Sequence, residues 1–138
     1  MLTHLMEGKL DLTPVEIRAL GSAAVEWMAR YYESLPDRRV MPEATAREIR
    51  ELVDEALPQS GTGPDRLLET FERVIVPLSR HNGHPRMFGY VASPGTAASA
   101  IADLLASTLN ANVTAWRSAP AATAIEHVAV NWIKEILG

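Results

Sequence analysis

A chain of 138 residues is long enough for one domain with its own core and short for two. Its net charge of −4 is small and its arginines are scattered among acids, which leaves no basic stripe for nucleic acid. Cysteine is absent, so disulfides, thiolate nucleophiles and cysteine-based zinc sites are excluded. With no charged leader ahead of an apolar core and no apolar run of bilayer-spanning length, the sequence reads as soluble and cytoplasmic, with no membrane partner.

Thr13-Pro14-Val15-Glu16 predicts a helix start, because threonine can cap, proline suits the first helical position and glutamate can close a capping box. The helix is expected to run to about Ser34, with Ile17, Leu20, Ala24, Trp27, Met28, Tyr31 and Leu35 on one apolar face, and to end at Pro36. Thr45-Ala46-Arg47-Glu48 offers a second capping box. The short helix it opens carries Ile49, Leu52, Val53 and Leu57 and closes at Pro58. Pro64 opens a third helix with Leu67, Leu68, Phe71, Val74 and Ile75 on its apolar side, which Pro77 should kink or stop.

The loop from Asn82 to Gly95 is long for a compact domain, and such loops tend to carry function or meet a partner. Ser93-Pro94 is expected to start a fourth helix reaching about Asn110. Its Ile101, Leu104, Leu105 and Leu109, together with many alanines, leave it apolar nearly all round, the pattern of a covered helix. Asn112 to Trp116 reads as a short extended piece, and Ser118 with Pro120 begins a last helix through Ile125, Val128, Trp132 and Ile136. From Met87 to Ile133 the charged residues are Asp103, Arg117 and Glu126 alone. The expected fold is therefore all-α, about five helices with a long ordered loop. Its last two helices need cover from another chain or from more of this one.

Few residues offer chemistry. His81 and His84 flank a turn, but no carboxylate or thiol stands nearby to complete a metal site, so local hydrogen bonding is the expected role and no metal is expected. His127, with Glu126 and Asn131, reads as a polar group on a helix surface or at an interface rather than as part of a catalytic set. Lys9 and Lys134 are the only lysines, and neither lies in a setting that suggests a pocket for Schiff-base chemistry. No nucleophile elbow and no phosphate-binding glycine loop is present. Tyr90, in the long loop, is the best candidate for a functional side chain.

Taken together, EIRALGSAAVEWMARYYESL, HPRMFGYVASPG, ADLLASTLNANVTAW and APAATAIEHVAVNWIKEIL resemble the N-terminal region of the pyridoxal-phosphate-dependent group II decarboxylases. That family includes the aromatic-L-amino-acid, histidine, tyrosine and glutamate enzymes. The resemblance runs along essentially the whole chain. It implies an N-terminal flap of a larger transferase fold, with residues 1–81 as a three-helix dimerisation flap. Residues 82–138 would then be a substrate-side loop and apolar helices leading into a cofactor domain that this sequence does not reach. The glycine-rich phosphate loop, the aspartate on the pyridine nitrogen and the His-Lys pair of the family all belong to that domain. The resemblance thus implies pyridoxal phosphate in the full-length enzyme and none on this chain alone, with no catalytic residue here. It also implies a homodimer through the apolar helices and a small amino-acid substrate.

Carried onto this sequence, the family's Tyr-Phe-Pro-Thr stretch becomes Tyr90-Val91-Ala92-Ser93, which keeps the tyrosine, nearly keeps the last residue and loses the Phe-Pro pair. Thr114, two positions before the shared Trp116, stands where aromatic enzymes present a phenylalanine from the partner subunit. Asn112 resembles an asparagine of the glutamate-type members, and Ala124 replaces a usual glutamate. The resemblance therefore implies Tyr90, Ser93, Asn112 and Thr114 as substrate-binding residues. A free-standing helical protein-interaction module derived from such an enzyme is the alternative.

Overall fold

The computed structural model describes residues 11–91 and 93–138; His4 and Lys9 lie outside them. The described residues contain five α-helices and no strand. They form two compact units, one up to Pro94 and one from Gly95 to Gly138.

In the first unit, α1 spans Pro14–Ser34. Its start is held reciprocally. The Glu16 backbone N–H donates to Thr13 Oγ1 at 3.3 Å, while the Thr13 N–H and hydroxyl donate to the Glu16 carboxylate at 2.7 and 2.6 Å. Two otherwise unpaired groups at the helix end are thereby satisfied. A 3₁₀ turn, Leu35–Asp37, follows at the expected proline. α2, Ala46–Val53, begins with the same box, Thr45 with Glu48. It ends at Val53, short of Pro58. Asp54 and Glu55 are unfavourable at a helix C-terminus, and Leu57, preceding a proline, is biased away from helical backbone.

α3, Pro64–Thr70, passes into a π-helical turn, Phe71–Ile75, closed by the Val76 N–H on the Phe71 carbonyl at 2.9 Å. The cause is Pro77. Its ring would meet the carbonyl four residues earlier in a continuing α-helix, so the chain widens and leaves. An aromatic row ties this turn to α1, with Trp27 stacked on Tyr31 at 5.3 Å and edge-on to Phe71 at 4.8 Å. Such pairs contribute about 0.5–1.5 kcal/mol beyond their buried area. Leu35 and Val76 are buried here. The turn around Gly83 comes so close that an added Cβ would stand 3.3 Å from Leu35 Cδ2.

In the second unit, α4 spans Ala97–Leu109 and α5 spans Pro120–Leu137. α4 starts at Thr96 rather than at Ser93-Pro94. Thr96 and Ser99 exchange backbone-to-hydroxyl hydrogen bonds at 3.1 and 3.2 Å, which closes the capping arrangement at Thr96. Asn110 ends the helix in left-handed backbone at φ 48°, a common C-terminal use of asparagine. The stretch expected to be extended is a pair of turns. Asn112 Oδ1 accepts the Thr114 N–H at 3.0 Å, and the Ala115 carbonyl accepts the Ser118 N–H at 2.9 Å. The asparagine side chain mimics a backbone turn and overrides the β-branched Val113 and Thr114.

The apolar stripes that the sequence assigns to a core are largely uncovered in the single chain. Ile101, Leu105 and Leu109 are 46, 64 and 74% exposed. Ile17, Leu67, Ile125, Trp132 and Ile136 are exposed as well. Their helical spacing is real, but the surface that would cover them is not made by the described residues.

Candidate functional site

The segment after the π turn is tied down by a series of hydrogen bonds. Ser79 is fixed by its hydroxyl on the Ile75 carbonyl at 2.6 Å and its N–H on the Val76 carbonyl at 3.2 Å. The His81 N–H donates to the Val40 carbonyl at 3.0 Å, and the His84 and Met87 N–H groups then close successive turns. His81 Nδ1 lies 2.9 Å from the Tyr31 hydroxyl, and the Arg38 guanidinium sits over the Tyr31 ring at 5.3 Å. His81 thus joins α1, the connection behind it and the start of the long loop. The expectation of purely local hydrogen bonding is corrected here, because its partner is 50 residues away.

Burial, then the neighbouring Arg38 and His84, hold the His81 pKa below its ordinary value. Burial raises that of Tyr31, against a lowering by Arg38 and with a further raise from Tyr32. Both directions favour neutral forms of the pair. His84 does bond locally, its Nδ1 accepting the Arg86 N–H at 2.9 Å. Its Nε2 is buried without a hydrogen-bond partner among the described residues, and the residue is 3% exposed. Both histidines therefore brace the base of the loop. Among the described residues no group of three His, Cys, Asp or Glu side chains could hold a metal.

Tyr90 projects from this base and is 77% exposed. Its backbone is left-handed at φ 66°, a rare conformation for a bulky residue. The Arg80 guanidinium lies over its ring at 4.4 Å, and Arg80 Nε donates to Asn82 Oδ1 at 2.8 Å. Ser93 is exposed in the same loop. Asn112 and Thr114, in the second unit, are exposed and bonded to each other. The four expected site residues thus fall as two within one unit and two within the other. Arg80 was not singled out from the sequence. An arginine beside the anchored His81 and upstream of a lone loop tyrosine was the available signal.

Lys134 is the only lysine among the described residues, exposed near the end of α5 beside Glu135. It lacks the enclosure an amine needs to hold pyridoxal phosphate covalently. No described helix is long and apolar enough to cross a membrane.

This helical layout is one already seen in solved enzymes. The crystal structure of Oryza sativa TDC with PLP and tryptamine matches 94% of this chain and 27% of its own with a TM-score of 0.85 and 26% identity. By sequence, residues 46–138 match the family described as the pyridoxal-dependent decarboxylase conserved domain, and the chain belongs to that family. An aromatic-L-amino-acid decarboxylase of Bacillus atrophaeus is 31% identical over 96% of this chain and 28% of its own length. Histidine decarboxylase of Drosophila melanogaster is 30% identical over 89% of this chain and 14% of its own. The chain spans less than a third of the length of these relatives.

Proposed function

We propose that this chain works as the N-terminal, dimer-forming and substrate-pocket-contributing segment of a pyridoxal-phosphate-dependent amino-acid decarboxylase, inactive alone. The family match over residues 46–138 carries the reading. Residues 1–81 act as the flap that engages a second copy, and residues 82–138 bring the substrate-side loop and the apolar helices to the cofactor domain of the full-length enzyme. The uncovered faces of α4 and α5 support a covering partner, since patches of that size are uncommon on monomers. In this reading Tyr90 and Ser93 line the substrate side of the cofactor, and Asn112 and Thr114 do so from the other subunit. The enzyme works in the cytoplasm.

The loop limits what substrate fits. Val91 and Ala92 in place of an aromatic-proline pair remove stacking surface, so large aromatic amino acids lose preference. One missing buried contact of this kind is worth on the order of 1–3 kcal/mol, or roughly tenfold to a hundredfold in selectivity. The test is a panel of L-amino acids assayed with the full-length enzyme, with and without Tyr90→Phe and Tyr90→Ala. Unchanged kcat and KM in Tyr90→Ala for every substrate would reduce the tyrosine to packing. The exposed apolar faces also favour a second reading, a helical module that binds a full-length relative. A full-length protein without carboxy-lyase activity on the whole panel would favour it.

A further inference from the structure

We infer that Arg80 is the positioning residue for Tyr90: stacked on one face of the phenol, it fixes the ring in a strained backbone conformation and leaves only the other face and the hydroxyl for substrate. This deepens the substrate-side role proposed for Tyr90 and rests on it.

Among the described residues, Tyr90 and Asn110 are the two other than glycine with positive φ, and they differ in what sustains them. Asn110 ends α4, where its N–H still bonds the Ala106 carbonyl at 2.9 Å and where asparagine is at home. Tyr90 ends no helix. A bulky side chain in left-handed backbone is held there only when its surroundings over-determine it. What does stand against Tyr90 is the guanidinium of Arg80, 4.4 Å from the ring centroid.

Arg80 is well placed for the task. It sits between Ser79 and His81, whose hydrogen bonds to Ile75, Val76 and Val40 fix the backbone on both sides. Its Nε is held on Asn82 Oδ1, which orients the plane of the guanidinium. The ion pairs among the described residues involve other arginines, so none of the described carboxylates is paired with this charge in place of the ring. A cation over a phenol face is attracted by the ring quadrupole, and an arginine does this better than a lysine because its plane can stack. With that face occupied, an aromatic substrate ring cannot stack there, and Arg80 becomes a determinant of specificity without touching the reacting atoms.

The experiment uses the full-length enzyme and its Arg80→Ala, Arg80→Lys, Asn82→Ala and Tyr90→Ala variants, assayed with L-histidine, L-phenylalanine, L-tryptophan and L-glutamate. Arg80→Ala is expected to raise KM for the best substrate by roughly two- to fivefold, the reach of an exposed cation–π contact, with kcat within about twofold. Arg80→Lys should restore part of the loss, Asn82→Ala should reproduce part of it, and the melting temperature should stay the same. A second readout is independent of turnover. With 3-fluorotyrosine at position 90, the ¹⁹F resonance should shift and sharpen in Arg80→Ala and move less in Arg80→Lys. An unmoved resonance, or an unchanged KM in Arg80→Ala while Tyr90→Ala impairs the enzyme, overturns the role of Arg80 and leaves that of Tyr90 standing. A silent Tyr90→Ala, or no turnover of any of the four amino acids, overturns both.

Discussion

The Tyr31 hydroxyl and His81 Nδ1 lie 2.9 Å apart although 50 residues separate them in the chain. This bond, with the Trp27 stack beneath Tyr31, fastens the loop base to α1. Tyr31→Phe keeps the ring and removes the hydroxyl. It is expected to lower stability by about 0.5–1.5 kcal/mol, the net worth of one such hydrogen bond. The measurement is the urea midpoint at constant m. An unchanged midpoint would mean that water replaces the hydroxyl at no cost.

The same histidine sets a pH dependence. Its pKa is depressed from 6.5 by burial and then by Arg38 and His84, so between the folded value and 6.5 the unfolded chain binds more protons than the folded one. Stability is therefore fully present above 6.5 and falls as the pH drops toward the folded value, flattening below it. Melting curves between pH 7.5 and 5 should show this fall in the native protein and a shallower one in His81→Gln. Parallel curves would assign the acid sensitivity elsewhere.

Much of this fold can be read from local sequence, and the reasons are specific. Thr13 with Glu16 and Thr45 with Glu48 mark helix starts to the residue, because capping depends on side chains three positions apart. Pro77 breaks α3 for an equally local reason. The end of α2, the start of α4 and the turns after Asn112 were less legible, since the first is set by the acids Asp54 and Glu55 ahead of Pro58 and the other two by the polar side chains of Ser99 and Asn112. Least legible was the site. Tyr90 could be singled out from its loop, but the Arg80 contact depends on a left-handed φ and the Tyr31–His81 bond on tertiary approach, neither of which has a periodic signature. Spacing likewise identified the apolar stripes of α4 and α5 without revealing what covers them.

α2 should respond to acid through its cap. The backbone and hydroxyl hydrogen bonds from Thr45 hold the Glu48 pKa below its ordinary value. The cap therefore contributes above the unfolded value of 4.5 and is lost as the pH falls through the folded one. The amides of residues 46–53 should show an excess of opening on acidification, read as a fall in their protection relative to the intrinsic exchange rate at each pH. Glu48→Gln, which keeps an acceptor without the charge, should remove that excess. Equal acid-induced opening in Glu48→Gln would show the carboxylate to be unimportant to the helix.

The exposed row of Ile101, Leu105 and Leu109 on α4 gives an association test. Burying a fully exposed side chain of this kind is worth about 1.5–3 kcal/mol, a driving force for association that is set against its entropic cost. The chain is expected to sediment as a dimer or larger species, and Leu105→Glu to shift it toward monomer. That substitution is at an exposed position, so the helix itself should persist by circular dichroism. A native chain that remains monomeric at high concentration would remove this face from the interface.

Cofactor capture offers the last test, because it separates what this chain does from what its family does. Holding pyridoxal phosphate covalently at a stoichiometric site requires an amine kept from water, a surface for the ring and donors for the phosphate. Lys134 has an open helix surface and Glu135 beside it. The expectation is that the chain mixed with the cofactor gives only weak, non-saturating absorbance above 400 nm, equal in native protein and Lys134→Ala. Lys9, outside the described residues, is controlled by Lys9→Ala in the same titration. A saturable one-to-one signal abolished by either substitution would show that a cofactor pocket forms within these residues, and the proposal that the segment is inactive alone would fall with it.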